Sequence, residues 1–188
     1  MIKSLYPCFQ HWSSKGSVWL ISDTHFDDPD CKYMNENWIT PEENIYRLSF
    51  LTKNDTLIHL GDVGNPKYLA ELKCYKVLIM GNHDQSKTKF EPYFNEIYSG
   101  PLMVGPKILL SHEPIDVPWA FNIHGHDHDP ENAFGCNHIN LASNVVYWTP
   151  YNLDKDLIQM GWMTDIPSIH RITIDKATKQ KTSQKTNI

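Results

Sequence analysis

Five short apolar runs, each ending abruptly in a residue that can bind a metal, constrain this chain more than anything else in it. Ser17–Ser22 (SVWLIS) runs into Asp23-Thr24-His25, and Thr56–Leu60 (TLIHL) into Gly61-Asp62-Val63-Gly64. Lys76–Met80 (KVLIM) runs into Gly81-Asn82-His83-Asp84, Lys107–Leu110 into Ser111-His112-Glu113, and Phe121–Ile123 into His124-Gly125-His126-Asp127-His128. The first three runs are near-continuously hydrophobic, as strands buried on both faces require. At the carboxyl ends of strands in an open α/β sheet, such groups converge on one crevice.

Between the first two runs the spacing predicts a helix. Thr40 is its N-cap, Pro41 its first residue and Glu43 the partner in a capping box, with Ile45, Leu48 and Leu51 as the apolar stripe. Further helices are expected over residues 66–74 and 154–160, the latter stopped by Gly161, and further strands over 138–142 and 169–174. Strand–helix–strand alternation is the signature of a layered α/β fold. No linker or repeat divides the chain, so residues 1–175 are expected to form a single domain and the polar stretch 176–188 a frayed tail.

Composition narrows the function classes. Of 17 Lys and Arg, four lie in the 176–188 tail, which has no acid. The body keeps 13 basic residues against 22 acidic ones, a net of −9 where the whole chain is −5. Such a body is a poor trap for long nucleic acid and a good host for cations. No apolar run approaches the ~18 residues of a membrane helix, and no signal peptide is recognisable. The four Cys lack any metal-knuckle spacing and are read as reduced thiols in a cytoplasmic protein.

The ligand-type residues make a mixed nitrogen and oxygen set without thiolate. It suits Mn²⁺, Fe or Zn²⁺ better than Ca²⁺. Six or seven such groups exceed the needs of one ion, so two divalent ions sharing a carboxylate are expected. Mn²⁺ comes first, with Fe, Zn²⁺, Ni²⁺ or Co²⁺ as alternatives. A pair of ions about 3.5–4 Å apart clamps the attacking and leaving oxygens of a phosphoryl group.

In order, these blocks resemble the calcineurin-like metallophosphoesterase superfamily: Asp-x-His (Asp23, His25), Gly-Asp (Asp62), Gly-Asn-His-Asp (Asn82, His83, Asp84), a lone His (His112) and Gly-His-x-His (His126, His128). The match spans residues 23–128, and the stretch Asn140 to Pro150 also resembles small bacterial and phage-type members. The resemblance implies a four-layer α/β/β/α sandwich, two mixed sheets flanked by helices. It implies one ion on Asp23, His25, Asp62 and His128, and a second on Asp62, Asn82, His112 and His126. A hydroxide shared by the ions would attack phosphorus, with His83 as the acid and Asp84 fixing its tautomer.

The implied activity is hydrolysis of phosphomonoesters or phosphodiesters, on a small phosphoester or nucleotide-type substrate. The alternative is a catalytically weak scaffold that keeps the fold as a binding surface. Which two of His124, His126 and His128 serve is open from spacing; the Gly125 position favours the last two. Gly61-Asp62-Val63-Gly64 lacks the Asp-Arg-Gly continuation of Ser/Thr protein phosphatases, which argues against that activity. The loops 26–39 and 113–122 carry aromatic and acidic residues but a single Lys. His59 is read as a core histidine, His11, His138 and His170 as structural or exposed, and Arg47 as part of a solvated helix face. Trp38 and Trp119 are read as packing over the loop bases, and Asn140 as either a site neighbour or a turn residue.

Overall fold

The computed structural model describes residues 1–161 and 163. A five-stranded sheet is built from β1 (Val18–Ile21), β2 (Thr56–His59), β3 (Tyr75–Ile79), β4 (Glu96–Tyr98) and β9 (Tyr151–Asn152), in the order β4-β3-β2-β1-β9. Its first four strands are parallel and β9 runs antiparallel to β1. A four-stranded sheet holds β5 (Leu102–Gly105), β6 (Ile108–Leu110), β7 (Phe121–His124) and β8 (His138–Asn140) in sequence order. Here β5 is antiparallel to β6, and the remaining pairs are parallel. Two mixed sheets with flanking helices are the α/β arrangement that the strand–helix alternation predicts.

The apolar runs are continuous because alternate side chains enter two different cores. Val18, Leu20, Ile58, Leu60, Val77 and Ile79 face the second sheet, meeting Leu110, Ile123 and Ile139. Ile21, Leu57 and Leu78 point to the opposite face, against Ile45 and Leu48. Each such side chain, fully removed from water, contributes about 1.5–3 kcal/mol. The two sheets join where Ser22 bridges Ala142, with Ser22 N–H donating to the Leu141 carbonyl at 2.9 Å. That seam brings the carboxyl ends of β1, β2, β3, β6 and β7 to one edge.

Helix α1 covers Cys31–Met34, α2 Pro41–Leu48 and α3 Lys87–Phe90. At α2 the Thr40 hydroxyl accepts from Glu43 N–H at 3.2 Å, as the N-cap expectation requires. The reciprocal half of the capping box does not form, because the Glu43 carboxylate binds Arg47 at 2.6 Å. Arg47 in turn donates to the Tyr147 carbonyl at 2.9 Å, so it clamps α2 to a distant loop rather than only being solvated.

The expected helix over 66–74 is a 3₁₀ turn, Pro66–Glu71, too short for i→i+4 bonding to take hold. The expected helix over 154–160 is a π-turn, Leu153–Gln159, started by Asn152, whose Oδ1 accepts from Asp154 and Lys155 N–H. A 3₁₀ segment, Pro7–Ser13, and the short half-buried strand β4 carry no periodic signal and went unread. The expected strand at 169–174 and the tail lie outside the described residues. None of the described helices is long and apolar enough to cross a membrane.

Candidate metal centre

Immediately past β1 and β2 the backbone turns sharply and the two loops bond to each other. Asp23 N–H donates to the Gly61 carbonyl, His25 N–H to that of Asp62 and Phe26 N–H to that of Val63. Asp23, His25, Asp62 and His126 all sit at positive φ, between 43° and 70°. Side chains tolerate this backbone only at a cost of about 1–3 kcal/mol each, and such positions cluster at functional sites. Two glycines make the close approach possible. A Cβ at Gly81 would fall on the Asp62 carboxylate, and one at Gly125 on Ser22 Oγ and the Asp23 carboxylate.

The turns gather two clusters. In the first, His25 Nε2 and His128 Nε2 stand 3.8 and 3.7 Å from Asp23 Oδ1, and Asp62 Oδ2 lies 3.8 Å from His25 Nε2. In the second, His112 Nε2 lies 3.3 Å from the same Asp62 Oδ2, 2.8 Å from Asn82 Oδ1 and 3.1 Å from His126 Nδ1. His126 Nδ1 is 3.2 Å from Asn82 Oδ1. Asp62 therefore faces both. Ligands held about 2.0–2.2 Å from an ion stand about 3.0–3.6 Å from one another, so the first cluster is slightly wider than a cation's coordination shell and the second reaches its tight end.

Donor chemistry points the same way. His25 Nδ1–H donates to Asp28 Oδ2 at 3.1 Å, His112 Nδ1–H to the Leu60 carbonyl at 2.9 Å and His128 Nδ1–H to Asn144 Oδ1 at 2.8 Å. Each bond fixes the tautomer that leaves a lone pair on Nε2 aimed inward. Asp23 Oδ1 and His25 Nε2 are buried and have no hydrogen-bond partner. Burying unsatisfied polar atoms is costly. The residues present fit a pair of divalent cations.

Charge balance within the site follows from these contacts. Burial works against the Asp62 carboxylate, but the His112 imidazole, the His83 N–H and His25 outweigh it and hold its pKa at about 2. For His112, burial opposes protonation, yet the Asp62 hydrogen bond and the charges of Asp23 and Asp62 push its pKa up to about 8. His59 behaves as the core residue expected. It accepts from Gly61 N–H at Nδ1, bonds Thr24 Oγ1 through Nε2 at 3.0 Å, and is pushed by burial down to about 3.

His83 is exposed at the mouth of the site, its ring 5.6 Å from that of His25, while its N–H donates to Asp62 Oδ1 at 2.9 Å. Asp84 departs from the expected role of fixing the His83 tautomer. Its buried carboxylate accepts from the N–H groups of Asp62 (2.8 Å), Gly81 (3.0 Å) and Val63 (3.2 Å). It pins two ligand loops together, and among the described residues no hydrogen bond joins it to the His83 ring.

His124 turns away from both clusters, bonding the Gly125 carbonyl through Nδ1 and His138 through Nε2 at 3.1 Å. Asn140 donates to the Asp127 carbonyl and so braces the loop that carries His126 and His128. Trp38 stands 5.9 Å from the His25 ring and 5.8 Å from that of His128, forming a wall of the site. Asp28 and Asn144 were missed by the sequence reading. An acid three residues after His25 is the only signal that could have flagged Asp28, and nothing local flags Asn144.

A search of curated proteins finds no match to this chain. Among solved structures, a protein of unknown function from Aquifex aeolicus matches with a TM-score of 0.63 at 27% identity, covering 74% of this chain and 96% of that one. A nuclease from Pseudomonas putida matches with a TM-score of 0.45 at 23% identity, covering 62% of this chain and 63% of that one. The family model for the calcineurin-like phosphoesterase superfamily domain matches residues 17–141, which include every strand of the described fold except β9 and every residue of both clusters, with the brace Asn144 lying beyond. The chain belongs to the calcineurin-like phosphoesterase superfamily.

Proposed function

We propose that this protein is a dinuclear metal-dependent hydrolase of phosphomonoesters or phosphodiesters, carried by one domain over residues 1–175. One ion would be held by Asp23, His25, His128 and Asp62, the other by Asp62, Asn82, His112 and His126. The observation that carries this reading is the pair of buried, unpartnered acceptors, Asp23 Oδ1 and His25 Nε2, beside a carboxylate that faces both clusters. The oxygen and imidazole donor set supports Mn²⁺ first.

Two divalent cations there would supply Lewis acidity to the phosphoryl group and ionise water near neutral pH. Asp28, the Leu60 carbonyl and Asn144 hold three imidazoles in the tautomer that faces inward. Asp84 keeps Asp62 and the Gly81–Asn82 turn in register. His83, exposed beside His25, would give a proton to the departing oxygen. The acidic body supports a small phosphoester or nucleotide-type substrate over stable binding of long nucleic acid. Four unpaired thiols support a reducing, cytoplasmic setting.

Metal titration followed by turnover of p-nitrophenyl phosphate and bis-p-nitrophenyl phosphate with Mn²⁺ tests the reading. Two ions per chain and hydrolysis of one or both substrates are expected. A stoichiometry near zero would favour a scaffold that keeps the fold without the chemistry. His83→Ala is expected to keep its metal and lose about 100-fold in turnover, more for poor leaving groups than for good ones.

A further inference from the structure

The turn that follows Ala142 is tied to each ligand of the first cluster. The Ser143 N–H and hydroxyl both donate to the Ser22 carbonyl, at 2.9 and 2.7 Å, one residue before Asp23. Asn144 bonds His128 twice, accepting from Nδ1–H at Oδ1 and donating from Nδ2 to the backbone carbonyl, both at 2.8 Å. The buried Trp148 ring packs 5.6 Å from that of Trp38, which touches the His25 and His128 rings. Among the described residues, no hydrogen bond or ring contact joins residues 143–148 to Asn82, His112 or His126.

This strap is folded under strain. Tyr147 and Trp148 sit one after the other at φ 52°. Residues with a Cβ visit this left-handed backbone singly and at a cost, so two in succession need support from their surroundings. The Tyr147 side chain, 75% exposed, supplies little of it. Support reaches the Tyr147 carbonyl from α2 instead. Arg47, 100 residues earlier in the chain, donates to it from Nη1 at 2.9 Å. The other arm of the same guanidinium, Nη2, holds Glu43 at 2.6 Å, one turn back on the helix. A planar fork fixed at one arm presents the other in a single orientation.

We propose that Arg47 is a positioning residue for the first ion: it clamps the strained 143–148 strap, and the strap sets Asp23, His25 and His128. The proposal rests on the dinuclear reading above and adds to it a group that touches neither a ligand nor the substrate. It separates the two halves of the centre, because the strap reaches only the first. An Arg47 that served the fold alone would, when removed, weaken both ions alike or neither.

Titration calorimetry with Mn²⁺ on the wild-type and Arg47→Ala proteins reads the two ions separately. R47A is expected to weaken one ion about tenfold, the worth of one net hydrogen bond, and to leave the other within about twofold. Hydrogen exchange of the 143–148 amides along the wild-type titration identifies that ion. Coupling between strap and ion is reciprocal, so the ion weakened in R47A is expected to be the one whose binding slows this exchange. Adding Tyr147→Gly, which takes a positive φ without strain, is expected to return R47A to within about threefold of wild type.

Equal loss at both ions, loss at neither, or protection of the strap by the ion that R47A spares overturns the proposal and leaves the metal reading standing. A double variant no tighter than R47A overturns it as well, because the loss would not then come from a strained turn. A wild-type protein that takes fewer than two ions overturns both the proposal and the dinuclear reading. Should R47A not fold, exchange in the wild-type protein decides: one ion is expected to protect residues 143–148 and the other not, and equal protection or none overturns the proposal.

Discussion

In the cluster of Asp23, His25 and His128 the facing atoms stand 3.7–3.8 Å apart, whereas around His112 they close to 2.8–3.3 Å. In the first cluster Asp23 Oδ1 and His25 Nε2 are buried without a hydrogen-bond partner, and side chains, Asp28 and Asn144, set its imidazoles. The second has drawn together, with His126 and Asn82 exposed, and a backbone carbonyl sets His112. On the proposed dinuclear reading the first half would need only a slight contraction around its ion, whereas the second would have to expand and shed a proton to accept one. Affinity should follow preorganisation, so the first ion is expected to bind more tightly than the second.

Removing the carboxylate common to both halves should have the largest effect. Asp62→Asn is expected to weaken both ions together and to lower turnover by about 1000-fold or more, the scale of several kcal/mol of metal-derived stabilisation. Calorimetric titration with Mn²⁺ reads both losses, and retention of one full-strength ion would break the idea of a shared ligand.

Cutting the braces sharpens the contrast. Asp28→Asn and Asn144→Ala should each weaken the first ion by about 10- to 100-fold while sparing the second, because only the first cluster is oriented by these side chains. Equal weakening of both ions in the same titrations would show that the halves are not independently supported.

Acidity should separate them next. In the metal-free protein the His112 pKa is raised from 6.5 to about 8, so its protonation stabilises the metal-free fold fully below pH 6.5, and that stabilisation is lost as pH rises through 8. An ion needs the unprotonated ring. The second-ion affinity should therefore fall by up to about tenfold per unit as pH drops below about 8, measured as Mn²⁺ titrations across pH. A flat profile over that range would remove the protonated His112 from the account.

The smallest effect belongs to His124→Ala. Its ring bonds Gly125 and His138 rather than either cluster, so metal affinity should change by no more than about threefold, and far less than in His126→Ala. The reverse order would overturn the assignment of His126 and His128 to the two clusters.

What was legible in the chain was the part written by chain direction. Parallel strands deliver their carboxyl ends to one edge, so Asp23, Asp62, Asn82, His112 and His126 could be placed together from strand order alone. The helix from Pro41 was legible because Thr40 announces it locally. Asp84 was misjudged because sequence adjacency to His83 says nothing about direction, and the carboxylate points at three backbone amides instead. Asn144 was invisible because its contact with His128 depends on how the loop after β8 returns across the seam. Strand β4 escaped for a different reason: its three half-buried residues carry neither alternation nor a continuous apolar run.

Anomalous scattering from crystals grown with Mn²⁺ tests the central claim most directly. Two peaks are predicted on either side of the Asp62 carboxylate, one bounded by Asp23, His25 and His128, the other by Asn82, His112 and His126. A single peak, or peaks away from Asp62, would contradict a dinuclear centre built from these residues.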